Sequence, residues 1–299
     1  MSVKLRTYQN ESKFCPDYYK IRNFLIELDS PNWHFGRWDW MITHTMLDKA
    51  GLPKIGIWED DGKIVALAIY DTKLAGKCFF PYNKNYCGLI PDMISHASKN
   101  LAKDGIARLL IRDGDFPFQE AAVNMGFLPT QNKDCDAIYP IDDLSKIKYT
   151  LPDGFRITSM KDDFDLYKYG QVLWKGFNHE AKGEGPFVFE KYSLADWEGE
   201  FLRPNVNLDL KIAVVAPNGD FVSYCGMWQD PASQSALVEP VATDPAYRMM
   251  GLGRAAVLEA VKRCGALGAK RVFVDSKQQF YYQIGFRPYE TSTWWEAKP

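Results

Sequence analysis

Glycine spacing gives the first chemical lead. Ala236 to Val261 reads ALVEPVATDPAYRMMGLGRAAVLEAV, and within it GLGRAA, Gly251 to Ala256, satisfies the dinucleotide fingerprint G-x-G-x-x-G/A. A loop opening a helix suits a pyrophosphate, because the first helical N–H groups lack intrahelical partners and carry partial positive charge. Gly251 and Gly253 remove Cβ atoms that would keep a phosphate off the backbone, and Arg248 and Arg254 flank the loop with charged donors. Met249, Met250 and Leu252 complete the segment. The other chemical candidate is Glu239, set between Val238 and Pro240 in an otherwise apolar strand. Burying such an acid is costly unless it is paired or functional, and desolvation raises a carboxyl toward the range of a useful base. A structural carboxylate accepting backbone N–H bonds is the competing reading.

The register of the glycines separates the pyrophosphate ligands. In a dinucleotide fold the first glycine sits at the very end of the first strand, so that the turn itself carries the pyrophosphate to the helix. Here the strand-like ALVEPVAT ends near Thr243, and DPAYRMM intervenes before Gly251. Pro245 cannot donate to a ladder and biases Asp244 toward extended geometry, so the strand stops before the loop. Asp275, at the end of RVFVD, stands at the ribose-binding spacing and is the best argument for an NAD-dependent oxidoreductase. An acid at a strand end is more commonly a solvated turn residue, and this reading ranks behind the others.

Positioning the loop takes a strand before it and a long helix after it. In the second half RAAVLEAVKRCGALG leads to KRVFVD, SKQQFYYQI and GFRPY; in the first, PDMISHASKNLAKDG leads to ARLLIRDGD, FPFQEAAVNM and GFLPT. Similar elements in the same order predict two copies of one fold. Upstream, WEDDGKIVALAIYD and IAVVAPNGDFVSYCGMWQD each place a turn, Asp61-Gly62 or Asn218-Gly219, between β-rich runs, which predicts hairpins. A sheet that begins antiparallel and then takes a helical crossover is mixed, with helices packed on it. The expected class is α/β, an α+β mixed sheet in each half. The polar, proline-punctuated stretch from Tyr139 to Ile157 is the best linker, giving domains 1–148 and 149–299.

With its spacer included, the loop resembles the acetyl-CoA loop of the GNAT N-acetyltransferase superfamily. That pattern is a strand, a Val-x-x-Asp/His-Pro-like turn, and Arg/Gln-x-x-Gly-x-Gly/Ala opening a long helix. This chain has VATDP and then Arg248-Met249-Met250-Gly251-Leu252-Gly253. FYYQIGF, Phe280 to Phe286, is similar to the second signature, a tyrosine four residues before Gly-Phe. Two motifs in order are more specific than a lone G-x-G.

The resemblance implies two GNAT-like domains in tandem, each a mixed, mostly antiparallel sheet flanked by helices, with acetyl-CoA as co-substrate. It implies that Val241, Ala242 and Thr243 offer backbone groups to the pantetheine arm where their strand splays, and that Tyr281 is the general acid. Tyr282 does not match the family position. In acyl transfer to an amine, the ammonium must lose a proton and the leaving thiolate gain one. Glu239 is the candidate general base, directly or through water, and shares a sheet face with Val241 if the strand is regular. The implied enzyme is an amine N-acetyltransferase working by direct attack in a ternary complex. The alternative from another class is a non-catalytic acyl-CoA-binding or sensing protein. Met249 and Met250 stand where the family often has a basic residue and glycine, which shifts phosphate contacts toward backbone N–H groups. The first half has NKNYCGLIPDMISHA in place of the loop and Ala122 in place of the tyrosine, so it is expected to be a degenerate copy.

Composition sets the remaining expectations. A chain of 299 residues, 46% hydrophobic and 25% charged, supports sizeable cores without metals or disulfides. A formal charge of −2 argues against a nucleic-acid binder. The start, MSVKLRTYQNESKF, has no apolar leader and no run approaches the ~20 residues that span a bilayer, so a cytoplasmic protein without a membrane partner is expected. Six cysteines without C-x-x-C and four histidines without H-x-x-x-H predict reduced thiols and no metal. The acceptor is expected to be a small-molecule amine or a peptide, and the protein a monomer or homodimer. Trp33, Trp38 and Trp40 within SPNWHFGRWDWMITH form either a pocket for a cation or, more commonly, the buried side of a helix. Trp174 to Phe187, with His179, falls where the family's variable acceptor-side segment lies, as a mobile substrate-shaping loop or a solvated connection.

Overall fold

The computed structural model describes residues 3–9, 13–189 and 199–297. The chain forms two compact units, one of Met1–Ala137 with Asp275–Lys277 and Pro288–Pro299, the other of Ile138–Val274 with Gln278–Arg287.

In the first unit, β1 (Lys4–Thr7), β2 (Gly56–Asp60) and β3 (Lys63–Ala68) form an antiparallel sheet in that order. Asp61 and Gly62, at φ 49° and 74°, make the expected tight turn between β2 and β3. Helix α1 (Pro16–Leu28) starts with proline and Asp17 in its first turn and buries Tyr18, Ile21 and Leu25 along one face. Helix α2 (Phe35–Thr43) is capped by His34, whose Nδ1 accepts from the Gly36 N–H at 3.0 Å. The tryptophan-rich segment is core: Trp33 and Trp38 are buried, and the Trp38 indole donates to the Tyr18 carbonyl at 3.2 Å. Asp39 is buried between the Tyr18 hydroxyl at 2.7 Å and the Arg22 guanidinium at 2.9 Å.

The unit continues with β4 (Lys77–Cys78), α3 (Ile90–Asn100), β5 (Arg108–Arg112) and α4 (Phe116–Asn124), then the first part of β6 (Phe127–Pro140). β4 pairs parallel with β5, and the C-terminal strand β12 (Arg287–Ala297) pairs antiparallel with β5 from Ser292↔Arg112 to Glu296↔Arg108. Trp294 and Trp295 of β12 join this unit's core. A division at residue 148 assigns the last strand to the second half; its ladder and its tryptophans put Pro288–Pro299 in the first unit.

In the second unit, β7 (Arg156–Ser159), β8 (Lys211–Val215), β9 (Phe221–Gln229) and β10 (Ser235–Thr243) are successively antiparallel, and β11 (Arg271–Asp275) adds parallel to β10. This is a mixed sheet and not the doubly wound parallel sheet of a dinucleotide fold. β8 is buried at every position, so both sheet faces are covered. Ala213 and Val215 pack with Leu166, Tyr169 and Val172 of α5 (Leu166–Gly176), while α6 (Leu252–Ala266) packs on β8 and β9. The short α7 (Gln279–Gln283) precedes β12. The order helix, strand, short helix, strand therefore occurs in both halves, as the internal repeat predicts. The stretch read as a linker is packed: Tyr149 donates to Glu259 of α6 at 2.7 Å, and Leu144 and Ile141 cover Gly265. No helix among the described residues is long and apolar enough to cross a membrane.

Candidate functional site

The site begins with an irregularity in β10. Its register against β9 runs Val238↔Met227 and then Val241↔Cys225, so one extra residue is accommodated around Glu239-Pro240, whose peptide bond is cis. Gly226 lies opposite, and a Cβ there would come within 2.5 Å of the Glu239 carbonyl oxygen. That carbonyl accepts the Trp228 indole N–H at 3.0 Å. The bulge removes the regular alternation on which a shared face for Glu239 and Val241 depends.

Beyond the bulge β10 loses one neighbour. Its parallel pairing with β11 covers only Ser235 to Leu237, whereas its antiparallel pairing with β9 continues through Val241, Ala242 and Thr243. The strands therefore splay where these three residues line a cavity of about 710 Å³.

Asp244 caps the 3₁₀ turn Pro245–Tyr247 by accepting from the Ala246 N–H at 2.9 Å. The chain then turns through Met249 at φ 63° and Gly251 at φ 81°, and α6 starts at Leu252. A left-handed Gly251 directly before the helix is cheap only for glycine. No side chain among the described residues caps this helix, which leaves its first N–H groups to a ligand or water. Gly253 serves packing: a Cβ there would meet Thr243 Oγ1 at 3.1 Å and the Phe280 ring at 3.4 Å.

The cavity gathers most of the sequence-derived candidates. Val241, Ala242, Thr243, Arg248, Met249, Gly251, Leu252, Gly253, Arg254 and Tyr281 line it; Met250 and Glu239 do not. Tyr281 is nearly buried, with edge contacts to Phe280 and Phe286 at 5.0 and 5.3 Å between ring centroids. Burial raises its pKa far above that of an ordinary phenol, and electrostatic coupling to Cys225 and Glu239 acts in the same direction. Tyr281 is therefore a neutral phenol at any ordinary pH, and its hydroxyl makes no hydrogen bond among the described residues. Glu239, half-buried, acts on Tyr281 electrostatically from outside the cavity lining.

Sequence reasoning missed the opposite wall. Gly176, Phe177 and Asn178, at the end of α5, line the cavity. Gly176 is required there, since a Cβ would sit 2.6 Å from that of Ala242. His179 instead stacks on Trp174, 4.2 Å between ring centroids, and its Nδ1 lies 3.0 Å from Glu184. Trp174 also donates to the Gly185 carbonyl at 3.0 Å, so the described part of this segment is a closed, internally bonded turn.

Residues 174–286 match the profile of the acetyltransferase (GNAT) family. Its second half thus carries the sequence pattern of the GNAT family. Over 97 residues it is 36% identical to the glucosamine 6-phosphate N-acetyltransferase of Trypanosoma brucei brucei, a stretch that is 30% of this chain and spans 66% of that relative. Among solved structures, a GCN5-related N-acetyltransferase from Sphaerobacter thermophilus superposes with a TM-score of 0.60 at 15% identity, covering 98% of this chain and 95% of that one. A tandem GNAT protein from the clavulanic acid biosynthesis pathway superposes with a TM-score of 0.59 at 11% identity, covering 100% and 99%. At these identities the two structures speak to the fold: the chain is a tandem of GNAT-like units, and the family profile falls on the second half.

Proposed function

We propose that the second unit binds acetyl-CoA and transfers its acetyl group to a primary amine by direct attack in a ternary complex. The observation that carries this is the cavity formed by the splayed edge of β10, the uncapped start of α6 and the neutral phenol of Tyr281. The helix start and Gly251 suit the pyrophosphate, with Arg254 adding charge. The edge of Val241 to Thr243 that β11 no longer covers suits the amide-bearing pantetheine arm, as a strand edge suits any extended polar chain.

Acetyl-CoA supplies an activated thioester carbonyl. The amine nitrogen forms the new bond to that carbon, the carbon–sulfur bond breaks, one proton leaves the nitrogen and one reaches the thiolate. Tyr281 provides the second proton, and its high pKa means that it is fully protonated when needed. Glu239 takes the first through water, since its side chain is not part of the cavity lining. The same absence is what favours the second reading, a non-catalytic acyl-CoA-binding protein.

Thermal unfolding with acetyl-CoA, CoA and NAD tests the ligand, and stabilisation by the two CoA species alone is expected. No stabilisation by either would overturn the assignment. CoA release over a panel of amines, from amino sugars such as the substrate in the trypanosomal relative's name to peptide N-termini, then separates enzyme from binder.

A further inference from the structure

The two arginines of the loop are engaged very differently. Arg248 donates from Nε to the Thr243 carbonyl at 3.2 Å, and from Nη2 to the Gly176 carbonyl and to Asn178 Oδ1, both at 2.9 Å. Three of its five N–H donors are thus directed at the protein itself. The same two segments are joined again by Lys175 Nζ, 3.3 Å from the Asp244 carboxylate, and by the close approach of Gly176 to Ala242. Arg254 makes one hydrogen bond among the described residues, a 3.3 Å contact to the Gln283 carbonyl, and it stands in the first turn of α6.

We infer that Arg248 is a positioning residue and not a phosphate ligand. It latches the end of α5 onto the start of the loop and so fixes the wall of Gly176, Phe177 and Asn178 beside the pantetheine channel. Arg254 supplies the side-chain charge for the phosphates. A planar guanidinium bridges the strand-end carbonyl, the helix-end carbonyl and the side-chain amide from two separated nitrogens, a span that the single nitrogen of a lysine lacks. The inference rests on the acetyl-CoA reading for the identity of the ligand, but the latch itself is a property of the free protein.

The test compares CoA with its phosphoadenosine diphosphate fragment, which keeps the pyrophosphate and lacks the pantetheine arm. In Arg248→Ala, CoA affinity is expected to fall about 10-fold or more, and that of the fragment by less than about twofold. In Arg254→Ala, both ligands weaken by a common factor. Asn178→Ala reproduces part of the Arg248→Ala loss, and the double variant binds CoA no more weakly than Arg248→Ala alone, as expected for partners in one contact. Without ligand, amide exchange at Phe177 and Asn178 quickens in Arg248→Ala and Arg248→Lys but not in Arg254→Ala. Equal loss of CoA and fragment in Arg248→Ala, with unchanged exchange at Phe177 and Asn178, would overturn the latch. Failure of the unaltered protein to bind CoA overturns the ligand assignment instead, and the exchange data then decide the latch alone.

Discussion

In the second unit α6 starts from a left-handed Gly251, uncapped, beside a strand whose far edge has lost its partner. In the first unit α3 starts from Leu89, already in right-handed helical geometry at the end of the 3₁₀ helix Lys84–Leu89, and Pro91 in its first turn has no N–H to offer. The strand before it, β4, is two residues long. Where the second unit has Tyr281 at the cavity, the first has Ala122, fully buried in its core. Both units keep the succession helix, strand, short helix, strand, so topology alone does not make the proposed CoA site. What sets the second unit apart is a positive φ, a strand bulge and one phenol, which is the sense in which a proposed function is grafted onto a fold.

The sharpest test of that contrast is the phenol. Tyr281→Phe keeps the ring and its contacts with Phe280 and Phe286 and removes only the proton donor. Turnover with an accepted amine is expected to fall about 100-fold or more, while CoA affinity stays within about threefold. Unchanged turnover would leave the two units differing in binding alone. The reverse graft, Ala122→Tyr, forces a large ring into a fully buried position and should cost about 1–3 kcal/mol in denaturant unfolding without conferring a second CoA site.

Glycine provides the next comparison. Gly251→Ala keeps open space around the new methyl group but requires φ 81°, at a cost of about 1–2 kcal/mol and with weakened CoA binding. Gly88, in the 3₁₀ helix that leads into α3, has open space and no positive φ, so Gly88→Ala should stay within about 0.5 kcal/mol. Equal effects at the two positions would mean that the left-handed turn is not what distinguishes the helix entries.

How much of this the sequence discloses depends on the range of the interactions. The hairpins, the repeated helix–strand succession and the spacing of RMMGLG to FYYQIGF are local patterns, and the structure contains each of them. The bulge at Glu239 departs from the regular strand that the shared face with Val241 assumes, although Pro240 within the strand and Gly226 in the facing one are local marks of irregular pairing. The unit that takes β12 was not legible, because alternation in a strand does not identify a partner 180 or more residues away. Nor was the wall at Gly176 to Asn178, which is joined to the loop by hydrogen bonds from Arg248, 70 or more residues further along the chain.

The smallest expected difference between the units lies in their response to pH. In the first unit, burial pushes the Asp136 carboxyl up to about 7, reinforced by the charges of Asp275, Glu290 and Asp134 and opposed by Arg112. Its folded pKa exceeds the ordinary aspartate value near 4, so between those values the folded state holds the extra proton. This contribution to stability is therefore present below about pH 4 and lost as pH rises toward 7. In the second unit, Glu259 of α6 has the opposite sign. Burial pulls it upward, but hydrogen bonds from Tyr149 and Arg263 outweigh burial and hold its carboxyl below the usual range. Its contribution is present at neutral pH and lost on acidification below the ordinary glutamate range. Amide exchange followed separately in the two cores between pH 5 and 8 should show protection in the first declining as pH rises and protection in the second unaffected by Glu259. Asp136→Asn should reduce that slope, because an amide has no proton to lose, and leave the share of Asp275, which burial pushes up to about 6 in the same unit. A profile that keeps its slope in Asp136→Asn would assign the pH response of the first unit to another group.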